Sequence, residues 1–151
     1  MTIAVVLVAV LLTGLVLWAI LTAQRLNRLY IRTDAARQQL EAVLDLRATV
    51  AAMAFPSEAG ELSAGINQDL AGRTEAERRV SQILMLHADQ LPIPLVEAAT
   101  RVSLAYRFYN NAVRDTRALR LRPLVRILRL GGNAQLPEYF ELPLAVENTD
   151  E

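Results

Sequence analysis

The chain has 151 residues, of which 53% are hydrophobic, and it carries 16 basic and 16 acidic residues, so its formal net charge is zero. It has no cysteine, which excludes disulfides and thiolate metal sites, and a lone His87 cannot build a histidine-rich metal site. We therefore expect no metal and no cofactor. The soluble part is long enough for one domain with a modest core.

The first predicted element is a membrane-spanning helix. Residues 3–23 carry no charged side chain, and arginines follow at once. About 20 apolar residues in a helix cover the roughly 30 Å hydrocarbon core of a bilayer, so this segment is long enough to cross it once. Trp18 has the amphipathic ring that prefers the headgroup level. The positions that represent the span are Ile3, Leu11, Gly14, Trp18 and Ala23, and the arginines of its flank are Arg25, Arg28, Arg32 and Arg37.

A cleaved signal peptide is the alternative interpretation of this segment. Such a peptide normally begins with a basic region and ends with a small-x-small cleavage site, whereas Met1 and Thr2 have uncharged side chains and Leu21 stands where a small residue is needed. The positive-inside rule keeps the arginine flank in the cytoplasm. We therefore expect a single-pass protein of the cell membrane, with its N-terminus outside and its C-terminal domain in the cytoplasm.

Helical periodicity continues beyond the span. Seam residues recur at alternating spacings of three and four, which is a heptad pattern, and no glycine or proline interrupts residues 24–55. The spanning helix is therefore expected to continue as the first helix of the soluble domain and to end at Pro56. At one seam position stands Arg47, which we expect to snorkel past the seam edge beside Asp45; a buried polar contact that fixes the register is the alternative. The seam consists of Leu26, Leu29, Thr33, Ala36, Leu40, Val43, Arg47 and Val50.

Two helices are predicted in the middle of the chain. A short one is expected within residues 57–72, where apolar residues have i, i+4, i+8 spacing. Thr74 followed by Glu77 is a capping box, which opens a second helix that is expected to run to about Gln90. On this helix His87 is expected to be partly exposed and structurally ordinary, with a proton switch as the alternative. The apolar residues of the short helix are Leu62, Ile66 and Leu70.

The longest soluble helix is predicted from Pro94 to about Leu121. Proline suits the first helical turn because it has no amide donor to leave unsatisfied, and Pro123 ends the helix. Residues 124–130 then form a short amphipathic turn or two. The helical spacing is kept by Leu95, Ala99, Val102, Tyr106, Tyr109, Val113 and Thr116, and the glycines expected to cap the last turn are Gly131 and Gly132.

Arginine dominates residues 101–130, where eight arginines stand against a single acid, Asp115. If successive helices alternate in direction, the helix from Pro94 returns toward the bilayer and brings its arginines to the inner leaflet, where each is worth about 1 kcal/mol against anionic lipid. A solvated helix face is the alternative. No nucleic-acid motif accompanies the arginines, so we expect no nucleic-acid partner. The arginines expected to contact lipid or a partner are Arg117, Arg120, Arg122, Arg126 and Arg129.

Three short elements follow the span in a fixed order: Asn-Arg-Leu in the first soluble helix, Arg-Phe-Tyr-Asn-x-Ala-Val in the late helix, and Tyr-Phe-Glu near the end. Their residues are Asn27, Arg28 and Leu29; Arg107, Phe108, Tyr109, Asn110, Ala112 and Val113; and Tyr139, Phe140 and Glu141. Together with the span they resemble the LemA family. The family's Asp-Leu-Ile-Pro-Asn-Leu-Val element survives only in part from Asp45, without its proline, and residues 55–93 match poorly, so the chain resembles a divergent member.

The resemblance implies an elongated antiparallel helix bundle anchored in the membrane, with no established enzymatic activity. The residues point the same way, because the sequence has no glycine-rich phosphate loop, no nucleophile with a base in reach and no paired carboxylates at a fixed spacing on an apolar face. We therefore expect an all-α protein with a transmembrane anchor at residues 1–24, a helical bundle at 25–130 and an acidic tail at 131–151.

The expected function is that of a membrane-anchored, non-enzymatic interaction or scaffold protein. An accessory regulator of a membrane protease or envelope enzyme, acting through the spanning helix, is the alternative. The expected partners are the lipid bilayer and an unidentified membrane or envelope protein, with a second copy of the chain as a further candidate. In the late motif, Asn110 is expected to bond a loop while the apolar residues pack in the core, with ligand binding as the alternative. Those apolar residues are Phe108, Tyr109, Ala112 and Val113.

Overall fold

The computed structural model describes residues 1–142, and this part of the chain is helical with no strand. The expected all-α class with a long apolar N-terminal helix is confirmed. The last acidic residues of the expected tail, 147–151, lie outside the described residues. The helices are α1 (Thr2–Ala54), α2 (Ala59–Leu62), α3 (Leu70–Leu86), α4 (Ile93–Arg120) and α5 (Pro123–Ile127), and short 3-10 turns occupy Pro56–Glu58 and Ala88–Gln90.

The chain divides into two compact units. Unit 1 consists of Met1–Asp34 and Ala112–Glu138. Unit 2 consists of Ala35–Asn111 and the segment that begins at Tyr139. Helices α1 and α4 each contribute one part to unit 1 and the other part to unit 2.

Helix α1 is a single helix of 53 residues, as the absence of glycine and proline after residue 23 predicts. It ends at Ala54 because Phe55 precedes a proline, and the proline ring excludes the α conformation from the residue before it; Phe55 has φ −126° and ψ 76°. The predicted seam is confirmed. Every one of its eight residues is buried or half-buried, whereas the intervening polar residues are mostly exposed.

In unit 2 four helices contribute to one apolar core. The core residues come from α1, α2, α3 and α4, and Leu62 of α2 is fully buried among them. The helix expected from the spacing of Leu62, Ile66 and Leu70 is present only up to Leu62, because residues 63–67 form turns and Leu70 begins α3. The core consists of Ala51, Leu62, Val80, Ile83 and Leu95.

Helix α3 begins earlier than the capping box predicts. Its N-cap is Asp69, whose carboxylate accepts a hydrogen bond from the backbone N–H of Gly72 at 2.9 Å. Thr74 is exposed inside the helix, and Glu77 forms an ion pair with Arg47, so the predicted capping box is wrong. The helix ends at Leu86, and the 3-10 turn that follows reaches the predicted end at Gln90.

The ion pairs and the core fix the directions of the helices in unit 2. Asp45 pairs with Arg73, and the core joins Ala51 with Val80, so α1 and α3 advance in the same direction. Helix α4 runs the opposite way, because its first turn, at Leu95, packs near the end of this part of α1. The turn at α2 makes this arrangement possible by returning the chain before α3 begins.

In unit 1 the last turns of α4 run antiparallel to α1. Thr116 lies against Thr33, and one turn later Leu119 packs in a cluster with Leu26. Val125 of α5 completes this cluster. Partly buried neighbours around it are Leu29, Tyr30 and Leu130.

Helix α5 ends in a Schellman motif that differs from the expected glycine cap. Arg129 has φ 49°, in the left-handed region, and its N–H bonds Arg126 O at 3.2 Å. The N–H of Leu130 bonds Val125 O at 3.1 Å, and Leu130 also packs against the cluster that contains Val125. The residue in the usual glycine position is thus Arg129, and the prediction that glycines 131–132 cap the helix is wrong.

Candidate membrane interface

The apolar half of α1 is not covered by any described part of the protein. Its most apolar stretch of 18 residues has no buried residue, and Ile3 and Leu11 are 78% and 72% exposed. A helix that is apolar all round normally lies inside a protein core or a membrane. Within residues 1–142, α1 is the helix long and apolar enough to cross a bilayer. Trp18 is less exposed, at 38%, and Ala23 is half-buried at the end of the stretch.

The polar and small residues of this stretch make no demand on a protein partner. The Thr13 hydroxyl donates to Ala9 O on its own helix at 2.8 Å, so it needs no water. A Cβ placed on Gly14 would meet nothing within 4 Å, so this glycine serves no close contact within the described chain. The surface of the stretch is therefore compatible with lipid on all sides.

Two buried threonines fix the end of α4 against α1 in unit 1. The hydroxyls of Thr33 and Thr116 lie 2.9 Å apart, and both residues are at most 5% exposed. Each hydroxyl also lies 2.9 Å from a carbonyl oxygen one turn earlier on its own helix, that of Leu29 or Ala112. These bonds leave the buried hydroxyls satisfied and set the level of α4 along α1.

Two of the five arginines predicted to contact lipid instead hold the segment after α5. Arg120 donates to the Tyr30 hydroxyl and, at 3.2 Å, to Gly131 O, and its guanidinium carbon lies 5.8 Å from the centre of the Tyr30 ring. A Cβ on Gly131 would lie 2.9 Å from Arg120 Nε, so a side chain at this position would displace the arginine. Arg117 donates to Pro137 O at 3.0 Å.

The other three, Arg122, Arg126 and Arg129, are exposed and form no hydrogen bond or ion pair with residues 1–142. The same is true of the arginines in the flank of the span that belong to unit 1. Unit 1 has nine arginines and three carboxylates, a formal charge of +6 without the N-terminus, whereas the described residues of unit 2 have seven arginines and ten carboxylates. The flanking arginines of unit 1 are Arg25, Arg28 and Arg32.

Exposed apolar side chains accompany the three arginines. Within α5 only Val125 points into the unit, while Leu124 and Ile127 are 54% and 75% exposed. Because a helix turns about 100° per residue, Leu124 and Ile127 share one side of α5, and Arg126 lies on another side. The exposed apolar residues of residues 121–128 are Leu121, Leu124, Ile127 and Leu128.

Part of this surface was not among the predicted site residues. The flanking arginines were predicted to set orientation only, and Leu121 and Leu124 were not assigned a role. The spacing of three between Leu121, Leu124 and Ile127 is a sequence signal for a common face. The packing of Val125 on Leu26 joins residues about 100 positions apart, and no local pattern contains it.

Unit 2 holds a network of four charged side chains, of which three are buried and the fourth, Asp45, is half-buried. Arg47 is 5% exposed and pairs with Glu77, which also accepts from Arg73 Nε at 2.7 Å; Arg73 bonds Asp45 at 2.5 Å. The expected snorkelling of Arg47 is therefore wrong, and the alternative, a buried polar contact, is confirmed. Burial lowers the pKa of Arg47, and the Glu77 carboxylate opposes that shift.

No metal-binding cluster occurs among residues 1–142. The predicted partial exposure of His87 is confirmed: its ring is half-buried, stacks on Phe55 at 4.4 Å and lies 3.0 Å from Ile83 O through Nδ1. On the surface, a hydrogen bond to Glu41 raises the pKa of Arg37. Unit 2 also has a small open groove, whose walls are Leu46, Val50, Pro94, Glu97, Ala98 and Arg101.

The late motif and the Tyr-Phe-Glu motif meet in unit 2. Asn110 Nδ2 donates to Phe140 O at 3.0 Å, and Asn110 Oδ1 accepts from the Phe140 N–H at 3.1 Å, so the expected bonding of a loop by Asn110 is confirmed. Tyr109 is buried as expected, but Phe108 is 56% exposed, so its expected core position is wrong. Of the remaining motif residues, those buried are Ala112 and Val113 and those exposed are Arg107, Tyr139 and Glu141.

No protein-family model, curated protein or solved structure matches this chain.

Proposed function

We propose that this protein is a membrane-anchored, non-enzymatic interaction or scaffold protein of the LemA type at the cytoplasmic face of the cell membrane. The observation that carries the proposal is the apolar half of α1, which is exposed along its length and continues without a break into the part of the helix that packs in both units. A bilayer removes these side chains from water without requiring another protein.

The continuity of α1 favours a permanent anchor over a cleaved signal. Residues on both sides of Ala23 lie in one helix, and the same helix supplies Leu26 to unit 1 and Leu40 to unit 2. Leu21 also stands where a signal peptide would need a small residue. The helix therefore connects the span directly to the folded part of the chain.

The charge of unit 1 supports the cytoplasmic orientation. All nine of its arginines follow the span, and six of them form no hydrogen bond or ion pair within residues 1–142. Arginine-rich segments close to a span stay on the cytoplasmic side, where the leaflet is anionic. In the proposed arrangement this basic surface lies against the inner leaflet.

The LemA assignment rests on the motif residues and on their arrangement. The late motif and the Tyr-Phe-Glu motif are joined by the paired hydrogen bonds of Asn110 and Phe140, which lie 30 residues apart in sequence. Their bonding gives the motif residues a structural role, which is what a helical interaction protein without a catalytic centre requires.

Single cysteines test the anchor and its orientation, because the native chain has none. We expect a membrane-impermeant maleimide to leave Asn133→Cys, at an exposed position of unit 1, unlabelled in intact cells and to label it after lysis. The control is Thr2→Cys on the other side of the span, which should be labelled in intact cells. Labelling of Asn133→Cys in intact cells would show the opposite orientation. Recovery of the chain in the soluble fraction would contradict the anchor.

A further inference from the structure

We infer that α5 is an interfacial helix, which inserts its apolar side into the edge of the bilayer and binds the phosphates of anionic phospholipids through Arg122, Arg126 and Arg129. The inference rests on the proposed membrane anchor and adds a second membrane contact, made about 100 residues after the span. Anionic lipid is the occupant because the surface is both apolar and basic and lies beside the end of the span.

Helix α5 lies at the level where the span ends. Val125 packs against Leu26, and Leu26 follows Ala23 by three residues, which is about 4.5 Å along the helix axis. An interfacial helix buries its apolar side about 5–10 Å into the boundary between headgroups and acyl chains. The packing of unit 1 therefore already holds α5 within reach of this boundary.

The two sides of α5 have the polarity that this position requires. Leu124 and Ile127 are exposed on one side, where water would hydrate them unfavourably, and Leu128 continues this side. Arg126 lies on another side, and long arginine side chains can follow an apolar surface while their guanidinium groups reach phosphate. Arginine also matches phosphate with two parallel hydrogen bonds, so its pairing with a headgroup is stronger than that of a point charge.

Arg129 provides an independent observation. It occupies the left-handed position of the Schellman motif, where glycine avoids the steric cost of a side chain, and its guanidinium has no partner among the described residues. The left-handed backbone closes the Schellman motif, but an arginine side chain is not needed for that, so the guanidinium is available for a contact outside the protein. A headgroup phosphate supplies the missing partner.

The internal contacts of Arg117 and Arg120 limit the lipid-binding set to the three arginines of residues 122–129 and the flank of the span. Each arginine close to an anionic surface strengthens binding about fivefold, so three of them change the docking equilibrium by about a hundredfold. Neutral lipid lacks this contribution but still accepts the apolar side of α5. The inference therefore predicts insertion of α5 in both kinds of bilayer and a stronger docking in the anionic one.

Nitroxide labels on single cysteines measure the depth of α5 in the full chain reconstituted in nanodiscs. The labelled positions are Leu124 and Ile127 on the apolar side and Arg126 on the basic side, and accessibility to oxygen is compared with accessibility to a water-soluble nickel complex. We expect oxygen to dominate at Leu124 and Ile127 and nickel to dominate at Arg126. Equal exposure of all three positions to nickel would overturn the inference.

A label at Leu11→Cys separates this inference from the proposed anchor. If Leu11 is in lipid and Ile127 is in water, the anchor stands and the interfacial helix is wrong. If Leu11 is in water, the anchor itself is wrong. The insertion of α5 depends on that anchor, so it would then be wrong as well.

Lipid composition tests the role of the arginines. In nanodiscs with phosphatidylglycerol, Arg122, Arg126 and Arg129 are changed together to glutamine, and the docked fraction is read from the label at Ile127. We expect the docking equilibrium to fall about a hundredfold relative to the native arginines, to the level found in neutral phosphatidylcholine. The matched control removes the same charge from unit 2 through Arg78, Arg79 and Arg101 to glutamine, and an equal fall in this control would overturn specific headgroup binding.

Discussion

At the scale of single residues, the buried charges of unit 2 show a polar contact that links helices from distant parts of the sequence. Glu77 is 1% exposed and faces two buried arginines, Arg47 and Arg73. Arg47 Nε and Arg73 Nη2 have no hydrogen-bond partner within residues 1–142, so the network is not fully satisfied. Such a network contributes little net stability but strongly penalises any arrangement that separates its members. It therefore specifies how α3 aligns with α1.

We predict unequal costs for removing the two ends of this network. Glu77→Gln removes the shared negative charge and leaves two buried arginines without it, which should lower the free energy of unfolding by about 3–5 kcal/mol. Arg47→Met should cost much less, because Glu77 keeps its 2.7 Å bond to Arg73. Urea unfolding of the full chain in detergent, followed by circular dichroism, measures both. Arginine keeps its charge at neutral pH, so the difference between the two variants in free energy of unfolding should be the same at pH 6 and pH 8. A larger loss of stability for Arg47→Met than for Glu77→Gln would contradict the prediction.

At the scale of elements, α5 is a short helix whose ends are defined by sequence. Pro123 begins it, since proline is favoured in the first turn, and the Schellman motif at Arg129 and Leu130 ends it. The buried contact of Val125 holds the helix on unit 1 and leaves its other sides exposed. The same five residues thus provide both a packed contact and an unpartnered surface.

Two substitutions of Arg129 separate its structural cost from its lipid contact. Arg129→Gly relieves the left-handed strain and should raise the free energy of unfolding by about 0.5–1 kcal/mol, after allowance for the greater freedom of glycine in the unfolded chain. Arg129→Gln keeps the strain and should leave stability nearly unchanged. Both remove the charge and should weaken docking of α5 to anionic nanodiscs about fivefold. Docking that is unaffected by either substitution would show that this arginine does not contact lipid.

At the scale of the whole molecule, the parts that could be predicted from sequence are those with a local signal. The seam of α1 and the spacing along α4 were predicted correctly because a helix repeats its buried side every three to four residues. The pairing of Arg47 with Glu77 and the contact of Val125 with Leu26 could not be predicted, because they join residues far apart in sequence. The start of α3 was misassigned because the helix is capped by Asp69, five residues before the predicted cap at Thr74.

The distribution of charge also acts at this scale. Unit 1, which contains the span, has a formal charge of +6, and the described residues of unit 2 have a formal charge of −3. An anionic leaflet attracts the first and repels the second. Membrane contact outside the span is therefore expected from unit 1, which leaves the surface of unit 2 available to a protein partner.

The final prediction distinguishes a scaffold from a regulator that acts through its spanning helix. A scaffold binds its partner through the folded units and not through the span, whose Thr13 hydroxyl bonds its own helix. We therefore expect a chain whose residues 3–23 are replaced by an unrelated leucine and alanine segment of equal length to keep the partners that crosslinking mass spectrometry detects in native membranes. Membrane fractionation is the control that the replacement still anchors the chain. Loss of the partners from an anchored chain would contradict the scaffold and favour regulation of a membrane protease or envelope enzyme through the span.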